Sequence, residues 1–406
     1  MLQKRRILVG IGGGIAAFKV CSLISQLVQT GADVRGIVTR SGAQFITPLT
    51  VSTLCRHPVY GDQDFWQASQ ARPLHIELGE WAELIVIAPL TADSLGKLVH
   101  GLADNLLLNT VLASTCPVLV APAMNTTMWE QQPVQQNWKT LQTLQRFHSI
   151  GPNSGLLACD RVGAGRLAEP SQILAAVQSL IQTGGQRDLA GQRLLITAGG
   201  TREFLDPVRF LGNPSTGKMG IALAQAALHR RAAVMLIHGP IASELLALVP
   251  EISRIPVISA QEMLDALQAN WIASDALIMA AAVGDFRPAT YTAHKRSKTK
   301  FSDKLALSPV PDILSHLAQL KQTHQKLIGF AAQTGDFITP AREKLRRKQL
   351  NAIIANPVDQ PGAGFGSEQN FGVWLTPNAP DVPLTSGSKL TIAHQIYDLM
   401  QQLPLG

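Results

Sequence analysis

Cysteine is scarce: four residues in 406, at positions 21, 55, 116 and 159, with no C-x-x-C spacing. That excludes a disulfide framework and a cysteine zinc site, and it fits a reducing compartment. Charged residues make up only 16% against 46% apolar, which excludes a disordered chain. No uninterrupted apolar run approaches the ~18 residues of a membrane span. Lys4-Arg5-Arg6 followed by the apolar Ile7 to Phe18 stretch imitates a secretion signal. The four glycines inside it, with Lys19 straight after, fit a strand and a phosphate-binding turn better. A soluble, cytoplasmic protein is expected, with no membrane partner.

What is present is a globular chain long enough for two or three domains at roughly 150 residues each. The net charge is +7; residues 1–190 hold 14 basic and 12 acidic side chains, and residues 191–406 hold 21 and 16. The excess in the second half points to an anionic ligand there and is too small to demand nucleic acid. Two stretches open alike. Arg6 to Gly10 runs into glycines and an apolar helix pattern from Ile15 to Val28. Arg193 to Thr197 runs into Ala198-Gly-Gly200, with a helix pattern from Gly220 to Arg230. Each continues with a second strand (Asp33 to Thr39; Ala233 to His238) and a third apolar run (Glu83 to Ala88; Ala276 to Ala281). Alternating short apolar strands and helices predict two α/β domains of the doubly wound, Rossmann-like, parallel-sheet type, with ligands at the carboxyl ends of the strands. The polar, glycine-rich joint from Thr183 to Gly191 places their boundary near 190.

Gly12-Gly-Gly14-Ile-Ala-Ala17 satisfies G-x-G-x-x-A, the dinucleotide fingerprint. That reading wants an acid at the end of the second strand for the ribose diol, but the strand ends Thr39-Arg40-Ser41. Hydroxyls and backbone N–H groups suit a terminal phosphate, so a mononucleotide such as FMN fits better than NAD. In the second half, Gly212 to Met219 nearly spells a Walker A loop, but Met219 stands where the Mg2+-binding hydroxyl belongs and the motif lies past the first strand rather than directly after it. Two basic runs follow, His294 to Lys300 and Arg342 to Lys348. Each can be a solvated face. RNA binding lacks aromatic interleaving, whereas a triphosphate with Mg2+ accounts for both runs.

Taken in order, the glycine turn, His75-Ile-Glu-Leu, Ala88-Pro-Leu-Thr-Ala-Asp93, Pro122-Ala-Met-Asn125 and the loop Leu157-Ala-Cys159-Asp-Arg-Val-Gly163-Ala-Gly165-Arg166 resemble the flavin-containing cysteine decarboxylases. The second half reads Ile196-Thr-Ala-Gly-Gly-Thr201-Arg-Glu-Phe-Leu-Asp206-Pro-Val-Arg209, then Asn213 and Ser215-Thr-Gly217-Lys-Met-Gly220. It resembles the ligase half of the bifunctional phosphopantothenoylcysteine decarboxylase/phosphopantothenate–cysteine ligase family. The likeness spans almost the whole chain. It implies a flavodoxin-like decarboxylase half at 1–190 and a ligase half at 191–406. The substrates implied are 4'-phosphopantothenate, L-cysteine and CTP.

The chemistry explains why such groups are needed. A carboxylate on a saturated carbon cannot leave until the neighbouring cysteinyl thiol is oxidised to a thioaldehyde, which accepts the electrons left behind by CO2. A carboxylate does not couple to an amine at neutral pH until it becomes a mixed anhydride, here an acyl-cytidylate. The resemblance implies FMN contacts at Gly13, Gly14, Ile15, Ser41, Thr91 and Ala92. It implies His75 as base or positioning group, Asn125 as the group orienting the substrate carboxylate, and Cys159 as the proton donor on a lid. Met124 and Arg166 are implied substrate contacts. In the ligase half it implies CTP contacts at Met279, Ala280, Ala281, Asp285, Lys295, Pro311, Asp312, Ile313, Leu314, Phe330, Lys344 and Lys348. Lys295 would also assist acyl-cytidylate formation, Asn213 would stabilise the intermediate and Arg209 would meet the pantothenate phosphate, with Mg2+ held through the CTP phosphates. Departures from the family pattern include Asp93, Gly284, Ser297, Gln333 and Pro357; an acid at 93 would repel a phosphate if it faced inward. The resemblance also implies a homo-oligomer, a dodecamer of trimers and dimers. A flavin-binding regulatory protein without turnover and a two-domain NAD-dependent dehydrogenase are the alternative readings.

Overall fold

A computed structural model describes residues 2–67, 72–158, 160–250, 252–295, 297, 304–360, 364 and 366–404. The chain divides into two compact units, Met1–Gln186 and Arg187–Gly406.

The first unit is built on six strands: β1 (Arg6–Ile11), β2 (Asp33–Val38), β3 (Val59–Tyr60), β4 (Leu84–Leu90), β5 (Val118–Pro122) and β6 (Phe147–Ser149). All pair in parallel, in the order β3-β2-β1-β4-β5-β6. Without the two-residue edge strand β3 this is the flavodoxin-like order. Every residue of β4 is buried, because helices cover both faces and apolar side chains are needed on each. Ile7, Val9, Leu84 and Val86 pack into one core with the helices Ala17–Gln29 and Pro170–Thr183. Leu8, Ile85 and Ile87 point the other way, into the core under Leu106–Ala113 and Gln132–Thr143. A small antiparallel hairpin, β7 (Asn153–Leu156) and β8 (Val162–Arg166), stands apart from the sheet.

The second unit repeats the plan at larger scale. Its main strands are β9 (Arg193–Ala198), β12 (Ala233–His238), β13 (Ser253–Pro256), β14 (Ala276–Met279), β17 (Lys326–Gln333), β18 (Ala352–Pro357), β19 (Gln369–Leu375) and β20 (Val382–Ser388). Two side hairpins pair β10 (Arg202–Phe204) with β11 (Phe210–Gly212) and β15 (Phe286–Pro288) with β16 (Leu307–Pro309). The main order is β13-β12-β9-β14-β17-β18-β19-β20, parallel as far as β18 and antiparallel beyond. Each sheet reverses its winding once, between β1 and β4 and between β9 and β14. That reversal opens a crevice at the carboxyl ends of the strands.

The second unit begins ahead of residue 190 for a physical reason. Asp188 accepts two hydrogen bonds from the buried Arg230 guanidinium, at 2.8 and 2.7 Å. Arg230 also donates to Asp398 and to the His394 carbonyl (3.0 Å), both on the terminal helix Lys389–Gln401. Burial opposes ionisation of Asp188, and the Arg230 bonds outweigh it, so its carboxyl titrates below the usual range. Removing one partner of a buried pair strands the other, so Arg230→Ala is expected to destabilise this unit by about 3–5 kcal/mol in urea unfolding. Asp398 is half exposed, and Asp398→Asn is expected to cost under about 1 kcal/mol.

Candidate active sites

The first crevice lies between the ends of β1 and β4, where the glycine turn meets Pro89. A Cβ on Gly12 would stand 2.4 Å from the Pro89 carbonyl oxygen, and one on Gly13 would stand 2.4 Å from Cβ of Ser41. Side chains at either position would collide with the neighbouring loops, whereas a Cβ on Gly14 would meet no protein atom nearer than 3.9 Å. Helix Ala17–Gln29 starts without a side-chain cap; the N–H groups of Ala17, Phe18 and Lys19 are taken by the carbonyls of Gly14, Ile15 and Ala16, so what the helix turns to this opening is the positive end of its dipole. The Thr39 hydroxyl donates to the Ile11 carbonyl (3.0 Å) and accepts from the Gly42 N–H (3.1 Å). Those bonds tie the loop that carries exposed Arg40 and Ser41 beside the turn. Across the crevice, Thr91 caps helix Ala92–His100 by accepting from the Ser94 N–H at 3.2 Å. Asp93 does not face inward: it is largely exposed and paired with Lys97 at 3.1 Å. The opening therefore offers the positive end of a helix, hydroxyls and a guanidinium to a phosphate.

His75 sits in the first turn of helix Leu74–Trp81, which runs back antiparallel to the sheet and so brings it to the same rim. Its ring stands edge-on to Phe65, 5.2 Å between centroids, and its Nδ1 is buried with no partner among the described residues. Met124 and Asn125 follow β5 at that rim. Asn125 caps the helix Thr126–Glu130, its side-chain oxygen accepting from the Thr127 N–H at 2.8 Å. The β7–β8 hairpin rests on this segment. Gly165 accepts from the Met124 N–H at 2.9 Å, and a Cβ at 165 would stand 2.2 Å from the Met124 oxygen. Arg161 donates to the Thr127 hydroxyl at 3.1 Å. Arg166 is paired with Glu169 at 2.6 Å. Cys159, which falls between β7 and β8 in the sequence, lies outside the described residues. The other three thiols are poor acids: burial raises Cys21 and Cys116 and pushes Cys55 up to about 12. His75 makes no hydrogen bond to Asn125; what they share is the rim.

The second crevice is a cavity of about 620 Å³. Its walls bring together Met279, Ala280, Ala281 and Asp285 after β14, Pro311 to Leu314 at the start of helix Ile313–Gln319, Phe330 on β17, and Lys344 and Lys348 at the end of helix Ile338–Arg347. Asn213 closes one side, its side-chain amide donating to the carbonyls of Val283 (3.1 Å) and Ala282 (3.5 Å). Asp312 caps its helix by accepting from the Ser315 N–H and pairs with Lys348 at 2.9 Å. Lys344 donates to the Phe330 carbonyl at 2.9 Å. Two expected residues are not part of this wall. Lys295 lies exposed in the connection between β15 and β16, a run whose Arg296, Lys298 and Lys300 lie outside the described residues. Arg209 is held by Asp206 at 3.4 Å beside β11.

Three more cations stand on the wall, one of them, Arg347, within the basic run Arg342 to Lys348. Lys218 opens helix Lys218–His229, donates to the Gly366 carbonyl at 3.0 Å and pairs with Glu368. Arg347 stands beside Lys348, and Lys389 begins the terminal helix, its ammonium without a hydrogen-bond partner among the described residues. Lys218 was in view as part of the near-Walker motif, but nothing in the local sequence of Lys389 marks it. The wall thus carries five cationic side chains against the carboxylates of Asp285 and Asp312, the balance a polyphosphate needs.

Burial is the main cause that pulls the Lys344 ammonium down to about 8. At pH 7 it is charged; as pH rises through 8 it loses its proton, where an ordinary lysine holds its own to roughly 10.4. The kcat/KM for a polyphosphate substrate is therefore expected to fall above pH 8 with one proton lost, because that parameter reports the free enzyme. Lys344→Arg should move the fall to higher pH. A profile flat to pH 10 in the parent protein would separate Lys344 from phosphate binding.

No described helix is long and apolar enough to cross a membrane. Residues 1–182 match the family model described as Flavoprotein, and residues 189–403 match that of the DNA/pantothenate metabolism flavoprotein C-terminal domain. A relative named coenzyme A biosynthesis bifunctional protein CoaBC, from Bacillus subtilis, is 42% identical over 98% of this chain and 96% of its own length. The protein of the same name from Vibrio vulnificus is 41% identical over 98% and 99%. The one from Escherichia coli is 39% identical over 91% and 90%.

Proposed function

The chain belongs to the family of bifunctional coenzyme A biosynthesis proteins, and from that premise we propose that its two crevices divide the decarboxylase and ligase work. The protein is an enzyme of coenzyme A biosynthesis with both activities. In our reading the second unit uses CTP to join L-cysteine to 4'-phosphopantothenate, and the first converts the product to 4'-phosphopantetheine with FMN, in the cytoplasm. The observation that carries the ligase part is the convergence of Asn213 and eleven of the twelve nucleotide positions on one cavity rich in cations.

In the ligase, Phe330 and the backbone from Met279 to Ala281 frame a nucleoside, while Lys218, Lys344, Lys348 and Lys389, together with the Mg2+ that travels with the nucleotide, would neutralise the phosphate chain. The pantothenate carboxylate attacks the α-phosphorus and pyrophosphate leaves. The amine of cysteine then forms the C–N bond as the acyl–oxygen bond to CMP breaks, the electron pair going to CMP and the amine proton to solvent. Asn213, anchored on two carbonyls, keeps its side-chain oxygen for the attacking amine. Lys295 and Arg209 retain their expected parts, reaching substrate from outside this wall.

In the decarboxylase, the cradle of Gly13, Gly14 and Ile15 with Ser41, Thr91 and Ala92 holds the phosphate end of FMN. FMN held there would supply a two-electron acceptor, and later donor, for the cysteinyl thiol carbon. Asn125 and Met124 fix the carboxylate so that it leaves towards the rim, with Arg166 near the hairpin base. His75 holds or removes a proton at the reacting thiol, and Cys159 returns one. Closing the hairpin excludes water from the intermediate. Ile15 and Phe18, both 58% exposed beside the glycine turn, are apolar surface that a second copy would cover, in keeping with an assembly of trimers and dimers.

The decisive experiment supplies phosphopantothenate, cysteine, Mg2+ and each nucleotide in turn to the yellow, flavin-loaded protein, with products identified by mass. The expected outcome is 4'-phosphopantetheine, CMP and CO2 with CTP. Amide formation without nucleotide, or carboxylated product with flavin in place, would refute one half each.

A further inference from the structure

Behind the Asn213 loop lies a second, smaller pocket of about 310 Å³. It shares Asn213 and Ser215 with the large cavity, and its lining includes Arg202, Phe210, Gly212 and Pro214. We propose that this pocket binds the amino-acid substrate of the ligase, with its carboxylate on the Arg202 guanidinium and its amine directed at Asn213. The proposal rests on the ligase reading above and adds to it a site for the second substrate.

Residue alternation sets up the pocket. Along β10, Glu203 turns into the core and accepts from the Ala260 N–H at 2.8 Å, while Arg202 and Phe204 face the other side. Arg202 lies over the Phe210 ring, 4.7 Å from its centroid, and Phe210 leans on Phe204 at 5.5 Å. The stacked ring orients the guanidinium plane without using any of its N–H donors. No described carboxylate is ion-paired to Arg202, in contrast to neighbouring Arg209, which Asp206 already holds. Directly across the hairpin from Arg202 stands Gly212, where a Cβ would lie 2.7 Å from the Thr201 oxygen. A side chain at 212 is therefore excluded by the backbone, and the residue that pairs with Arg202 adds no side chain to the pocket wall.

The chemistry matches one end of the pocket to the other. A free amino acid presents a planar carboxylate, which an arginine fork binds in bidentate fashion. Its amine lies two bonds away and must reach an acyl group activated in the large cavity. Asn213 forms the partition, with its amide committed to the carbonyls of Ala282 and Val283 and its oxygen left for an amine donor. An amine lacking the α-carboxylate would lose the anchor but keep the reaction.

The test uses the full-length protein with CTP and 4'-phosphopantothenate and compares L-cysteine with cysteamine, its decarboxylated analogue. The parent enzyme is expected to prefer cysteine in kcat/KM. Arg202→Gln is expected to lower kcat/KM for cysteine by about 10- to 100-fold, the range for one charge-assisted pair, and to change that for cysteamine little, so the preference collapses. Arg202→Lys should restore part of it. Equal losses with both amines would overturn the proposal by making Arg202 merely structural. A raised KM for 4'-phosphopantothenate would also overturn it, assigning the guanidinium to the phosphate instead. Pyrophosphate release without any amine reports the ligase reading separately: its absence in the parent protein would sink that reading and not only this one.

Discussion

Asn213→Ala is expected to release pyrophosphate from CTP and 4'-phosphopantothenate and then stall, with amide formation slowed by about 10²–10³-fold. That is the usual cost of deleting one group aimed at the reacting centre. The reason is local. The Asn213 side chain bridges the loop after β11 to the carbonyls of Ala282 and Val283, and it separates the nucleotide cavity from the smaller pocket. Alanine keeps both walls but removes the side-chain oxygen that accepts from the incoming amine in our reading. An acyl-cytidylate should accumulate and be detectable by mass after acid quench. If both half-reactions slowed together, Asn213 would be acting on the nucleotide rather than on the amine.

Gly13→Val is the second large effect. The new side chain begins 2.4 Å from Cβ of Ser41 and 3.0 Å from its backbone carbon, so the loop after β2 must give way. Forced overpacking of about 1–3 kcal/mol corresponds to roughly 10- to 100-fold weaker flavin binding, and the variant is expected to purify nearly colourless. Gly14→Ala is the informative companion, because its Cβ would meet no protein atom nearer than 3.9 Å. Flavin lost from that variant reports the ligand's own approach to the turn. Ligase turnover should survive both changes, since residues of the second unit alone line its cavity. A fully yellow Gly13→Val protein would move the flavin away from the switch point between β1 and β4.

The architecture was legible where burial on both faces forces continuous apolar runs. Arg6 to Ile11, Leu84 to Leu90 and Arg193 to Ala198 are such runs, and all three are strands. The antiparallel extension was not: β20, Val-Pro-Leu-Thr-Ser-Gly-Ser, exposes most of its residues at a sheet edge, and its polarity reads as a loop. Motif positions foretold the large cavity because loops after consecutive strands must meet at one rim. Lys389 reaches the same wall from more than a hundred residues beyond Asp285, a juxtaposition only the sheet order creates. Arg202 escaped for another reason. It sits inside a recognisable motif, but what distinguishes it is the missing acid partner and the ring beneath it, and neither is written in the local string. Asp93 is the converse case, an unfavourable charge on paper that pairing with Lys97 turns aside.

The Arg230 cluster has an engineering corollary. Because one guanidinium grips both Asp188 and the helix Lys389–Gln401, the opening and closing stretches of the ligase fold are spatial neighbours. A circular permutant that splices them with a short glycine–serine bridge and opens new termini in the exposed turn near Gly335 should keep its sheet intact. An excised fragment starting at Arg193 would forfeit half of that clasp, so recombinant ligase fragments should begin no later than Arg187.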